Sequence, residues 1–239
     1  MGATEKKKSV KEKDTTGDVV GGFAFFLSLA ALLPTGLLFF TLSIAQLRSA
    51  DLKLAGIFLA SCLFGAMLAQ GCVRGHISVL IHEFKHSLIS NLVGNKFKEM
   101  RINEHSGHVQ YSYTKRTAHY NAFIALAPYI VPVFTFIGTL IALACFRDNE
   151  IATLVVVGLA YGADLLLNMR DISPVQTDIT LIRGGYSVGL LYISAWNFII
   201  AALLFAWAFQ GVEGLLALLE AVSRFFIAVY FATTGGAET

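Results

Sequence analysis

Six long apolar runs organise this chain, at 19–47, 54–92, 120–146, 151–169, 186–209 and 214–232. Short polar stretches separate them. A helix needs about 20 apolar residues to cross a bilayer, so the pattern predicts about six membrane spans. The first run is far longer than the roughly 7–15 residues of a signal-peptide core, and no small-residue cleavage site follows it. The second run is apolar to Leu80 and continues as a helical pattern through His82, Glu83, Phe84, Lys85 and His86 to Leu92, where Gly94 and Asn95 supply a stop. As one straight helix it would reach roughly 57 Å, well beyond a hydrocarbon core of about 30 Å. It must tilt, break near Gly71–Gly75, or project from the membrane, and a break or tilt is expected. The stretch 96–119 is the one sizeable polar insert between the runs. Within it Val109, Tyr111 and Tyr113 alternate with Gln110, Ser112 and Thr114, a strand-like period of two. The expected fold is an all-α membrane protein of about six transmembrane helices, with a short cytosolic strand-like insert after the second. Residues 1–18 form a polar cytosolic tail, 19–232 a polytopic membrane domain with its core at 54–185, and 233–239 a C-terminal tail.

Composition narrows the class. Hydrophobic residues make up 56% of the 239 and charged residues only 14%, against about 25% charge in ordinary globular chains. Too little polar surface remains to cover a soluble particle. Cys62, Cys72 and Cys145 are odd in number and lie in apolar runs, which excludes a disulfide scaffold. A net charge of +2 gives no reason to expect a nucleic-acid partner. The lysines and arginines are distributed unevenly. With the tail inside, five fall in the tail, five in 96–116 and two at Arg170 and Arg183, against only Arg48, Lys53 and Arg147 outside. The positive-inside rule therefore places both termini in the cytosol.

His82-Glu83-Phe84-Lys85-His86 fits the pattern H-E-x-x-H. Residues i and i+4 lie one above the other on a helix, so two imidazoles can converge on one zinc ion at about 2.0–2.1 Å. Glu83 sits about 100° round the helix, close enough to act as a general base without binding the metal. Ionisable residues are costly inside a membrane and are usually functional there. The bland alternative is an interfacial helix end whose histidines only hydrogen-bond. Zinc needs at least one more protein ligand. The run 151–169 returns to the same depth and ends in Asp164, Asn168, Asp171, Pro174 and Asp178. Each aspartate is a candidate, and each could equally be a capping or interfacial residue.

These residues resemble the site-2 protease family of intramembrane zinc metalloproteases. The resemblance rests on the H-E-x-x-H motif in the second run, on Gly94 closing its helix, and on the stretch Glu104-His105-Ser106-Gly107-His108-Val109 that follows. It rests also on Asp171-Ile-Ser-Pro174-Val-Gln-Thr-Asp178 two runs later. It covers roughly 76–185. It implies His82 and His86 as ligands of one zinc ion per chain, Asp178 as the third ligand and Glu83 as general base. Family members usually have Asn before that proline and Gly after the aspartate, where this chain has Asp171 and Ile179.

The expected function is intramembrane zinc endopeptidase, acting on transmembrane or membrane-proximal segments of other proteins. Asn168 is a candidate donor to the developing oxyanion, and Asp171 is the alternative third ligand. His105 and His108 are candidates for a substrate-facing role, since an extended substrate can add to the edge formed by 108–114; their rival readings are an ordinary polar loop and a second metal site. The expected partners are a membrane-protein substrate and the lipid bilayer, with no sign of a homo-oligomer. A tail without a transit-peptide pattern points to a prokaryotic plasma membrane. Two rival functions are a metal transporter and a catalytically inactive metal-binding scaffold.

Overall fold

In the computed structural model, which describes residues 23–48, 52–103, 106–112, 114, 116–117, 120–182 and 184–234, the first apolar run forms α1 (Phe23–Leu47). The polar tail 1–18 and His105 lie outside the described residues. The second run divides at Val73–Gly75 into α2 (Leu52–Cys72) and α3 (His76–Leu92), so of the ways to accommodate its length the chain takes the break. The break frees the Val73 carbonyl, which accepts a hydrogen bond from Arg170 Nη1 at 2.8 Å. The polar insert folds as an antiparallel hairpin of β1 (Lys96–Ile102) and β2 (Gly107–Ser112), with Ile102 opposite Gly107 and Lys96 opposite Ser112.

The run 120–146, expected as one span, is broken into α4 (Asn121–Ile130) and α5 (Val133–Cys145), bent by 63°. The cause is Pro132. It has no N–H and drives Val131 to extended backbone (φ −77°, ψ 117°). A break inside an apolar layer strands polar backbone groups, and each must find a partner. The Pro128 carbonyl, which residue 132 would have bonded, accepts from Lys85 Nζ at 3.4 Å. The Tyr129 carbonyl accepts from Asn197 Nδ2 at 3.0 Å. The Thr135 N–H donates to Asp164 Oδ2 at 2.6 Å.

The helix α6 (Glu150–Arg170) is well specified at both ends. Asn149 caps it by accepting from the Ala152 N–H at 3.0 Å, and Glu150 and Arg170 suit the two ends of its dipole. A single turn, α7 (Thr177–Thr180), leads into α8 (Gly185–Thr234). At Gly211 the α8 backbone takes φ +61°, ψ −145°, which side-chain-bearing residues rarely adopt. The chain folds back there: Leu218 packs with Ala202, Ala206 and Phe39.

Small residues bring the helices together. α2 runs along α6, and a Cβ at Gly162 would overlap the Cys62 carbonyl. α1 runs along α8, where the Ser43 hydroxyl donates to the Ala202 carbonyl at 3.0 Å and Phe40 stacks on Phe198. Large apolar side chains face outward instead, among them Leu63, Phe64, Met67 and Phe136. α3 has the same inverted polarity. Glu83, Lys85 and His86 are buried, while Ile77, Leu80 and Phe84 are exposed. This is the surface of an integral membrane protein.

Among the described residues, α2, α6 and α8 are each long and apolar enough to cross a bilayer, and the bent α4–α5 pair makes a fourth candidate. The six spans expected from the apolar runs are therefore not reached by helix length and composition. The last two runs form one kinked element, α3 is shorter and more polar than a span, and α1 contributes only the shorter apolar stretch Leu32–Ala45.

Candidate metal centre

The site is built where α3 meets α7 and the end of α6. Helical spacing stacks His82 over His86, with ring centroids 5.1 Å apart. Asp178 arrives from α7, held by its neighbour Ile179. That residue is fully buried in a core with Leu126, Tyr129, Ile182 and Tyr192. Ile179 is thus an anchor at the position where relatives were expected to have Gly. Asp178 Oδ2 lies 3.2 Å from His82 Nε2 and 3.3 Å from His86 Nε2. All three ligand atoms lie within 4.8 Å of one another. Ligand atoms bonded tetrahedrally to zinc at about 2.0–2.1 Å stand roughly 3.3 Å apart, so two imidazoles and one carboxylate at this spacing fit such an ion.

The second ring nitrogens are also committed. His86 Nδ1 donates to the Ile124 carbonyl at 2.7 Å. That carbonyl is available because residue 128 is proline and has no N–H to bond it. The bond turns His86 Nε2 toward Asp178. His82 Nδ1 faces Asp171 Oδ2 at 3.8 Å, and Asp171 Oδ1 accepts from Arg170 Nε at 3.3 Å. Arg170 also donates to the Ser78 hydroxyl and the Val73 carbonyl. It therefore ties the α2–α3 break to the carboxylate behind His82. Burial works against the charge on Asp178, but hydrogen bonds and charge from His82 and His86 outweigh it. They hold this carboxyl well below the usual carboxylate range.

Glu83 is 7% exposed and lines, with His82, His86 and Asp178, a cleft of about 560 Å³. The strand β2 forms another wall. A Cβ at Gly107 would overlap the Glu83 side chain, so glycine there lets the hairpin press on the carboxylate. His108 lines the cleft too.

Of the residues expected at the site, His82, Glu83, His86, Asp178, Asp171 and His108 are brought together. Asp171 stands behind His82, on its other ring nitrogen, and Asp178 completes with His82 and His86 a group that could hold a metal ion. Asn168 is not brought to the cleft. It is 2% exposed, and its Oδ1 accepts from Lys85 Nζ at 2.6 Å, so its position does not support an oxyanion role. Asp164 is likewise withdrawn, 3.5 Å from Lys85 Nζ. The sequence reading passed over Lys85, Arg170, Pro128 and Gly107. A lysine in an apolar run was the one available signal, since such a charge needs a buried partner.

Residues 72–235, roughly two thirds of the chain, match the model of the family described as Peptidase M50B-like. Comparison with curated proteins and with solved structures returned no match.

Proposed function

The chain belongs to the Peptidase M50B-like family, the site-2 protease family, and from that premise we propose that it is a zinc endopeptidase cutting transmembrane or membrane-proximal segments of other proteins. One observation carries this reading: His82, His86 and Asp178 converge at metal-ligand spacing beside a buried Glu83, in an open cleft.

A substrate helix hides its scissile carbonyl within its own hydrogen bonds, so it must unwind before it is cut. The unwound segment adds to β2 on the edge away from β1, alongside His108. His82, His86 and Asp178 hold one zinc ion, which when bound brings the pKa of a water toward about 7 and polarises a carbonyl. Glu83 accepts the proton of the attacking water and returns it to the departing amine. Asp171 and the Ile124 carbonyl keep the two imidazoles turned toward Asp178. In this reading the chain makes about six crossings, counting α1, α2 with α3, the bent α4–α5 pair, α6 and the two limbs of α8. Both termini and the hairpin lie on the cytosolic side, following the lysine and arginine bias.

Glu83→Gln is the direct test. The purified variant should keep one zinc ion per chain by elemental analysis, yet fail to cleave a co-expressed single-span substrate that the wild type cleaves. Cleavage by this variant would refute the mechanism. Zinc uptake by proteoliposomes of the wild type would favour a transporter instead.

A further inference from the structure

A second, smaller cavity of about 170 Å³ adjoins the catalytic cleft. The two share Tyr111, Ala125, Thr177 and Asp178, so its mouth lies beside the third ligand. Its remaining wall is Asn121, one turn before Ala125 on α4, with Leu181 and Ile182 beyond α7. The lining is largely apolar. An apolar cavity of about 150 Å³ holds a benzene molecule, so this one has room for a side chain between leucine and phenylalanine in size.

Tyr111 belongs to β2 and packs against Ile89, Ile124 and Ala127, which fixes the strand beside the cavity. A peptide running along β2 presents side chains alternately to its two faces. One of them meets the wall shared with Asp178.

We propose that this cavity is a side-chain subsite that takes a large apolar residue, leucine to phenylalanine in size, flanking the scissile bond. The inference rests on the zinc endopeptidase reading and adds a substrate preference to it. An acidic side chain is excluded, because the wall offers it no positive side chain and Asp178 repels it. An alanine leaves the cavity empty.

The test measures binding, not turnover. Full-length zinc-loaded protein in detergent is titrated with three peptidyl hydroxamates, identical except for a side arm equivalent to alanine, leucine or phenylalanine. Each buried methylene is worth about fourfold in affinity, so the leucine and phenylalanine arms should bind at least tenfold tighter than the alanine arm. Leu181→Trp fills the cavity from the outside, where Leu181 is half exposed, and should bring the leucine-to-alanine ratio close to one. Zinc content equal to that of the wild type verifies that the variant is folded, and Asn121→Leu repeats the test from the opposite wall. Equal binding of all three compounds by the wild type overturns the subsite while leaving the zinc site standing. So does a ratio that survives both variants. If no hydroxamate binds the wild type at all, the zinc reading fails and the subsite falls with it.

Discussion

Replacing Lys85 by methionine removes a charge from a fully buried polar cluster while nearly preserving its shape. Lys85 and Asp164 are each 1% exposed. The ammonium sits 3.5 Å from Asp164 Oδ1, donates to Asn168 Oδ1 at 2.6 Å and reaches the Pro128 carbonyl at 3.4 Å. Asp164 Oδ2 is held by the N–H and hydroxyl of Thr135, but Asp164 Oδ1 has only the ammonium. Lys85→Met therefore strands a carboxylate in an apolar layer and frees the Pro128 carbonyl again. Removing one partner of a buried pair costs about 3–5 kcal/mol. For a chain of this size each kcal/mol lowers Tm by roughly 2–4 °C, so a fall of about 6–20 °C is expected. The double variant Lys85→Met, Asp164→Asn keeps the acceptor for Thr135 and removes the stranded charge. It should recover at least half of the loss, about 2 kcal/mol, so that the two single losses are far from additive. Thermal unfolding of all four proteins, followed by circular dichroism in one detergent, completes the cycle. A Lys85→Met protein within about 0.5 kcal/mol of wild type, or strictly additive single losses, would refute the claim that this cation braces the break between α4 and α5.

Other perturbations probe the centre more locally. Pro128→Ala restores an N–H that competes with His86 Nδ1 for the Ile124 carbonyl. Zinc affinity should fall by about 10–100-fold, read by competition with a chromophoric chelator, while helix content stays unchanged. Gly107→Ala displaces the Glu83 side chain and should lower kcat by at least about tenfold with zinc content intact; equal loss of metal would instead mean that the hairpin holds the ligands. Gly162→Leu drives a side chain into the α2 backbone and should give little folded protein by gel filtration. Stripping zinc with a chelator should lower Tm by about 5–11 °C, because ligand at 100 times its Kd contributes about 2.7 kcal/mol. An unchanged Tm would mean that the ion is not bound in the folded state.

Much of this protein is written locally in its sequence. Hydrophobic runs, the scarcity of charge and the i, i+4 histidines are properties of neighbouring residues, so they identify a helical membrane protein and two candidate metal ligands before any folding. The excess length of the second run calls for a tilt, a break or a projection, and the folded chain takes the break, at Val73–Gly75. β1 escaped notice because an irregularity between Phe97 and Glu99 disrupts the alternation that marks a strand. The choice among three aspartates could not be made locally. Asp178 is 96 residues from His82 and 92 from His86, and only packing of Ile179 into the core delivers it. The same holds for the directions of the two imidazoles and for the pairing of Lys85 with Asp164. Spacing along the chain states which side chains share a helix face. Which backbone carbonyls the prolines leave open, and which side chains come to fill them, is decided only when the helices meet.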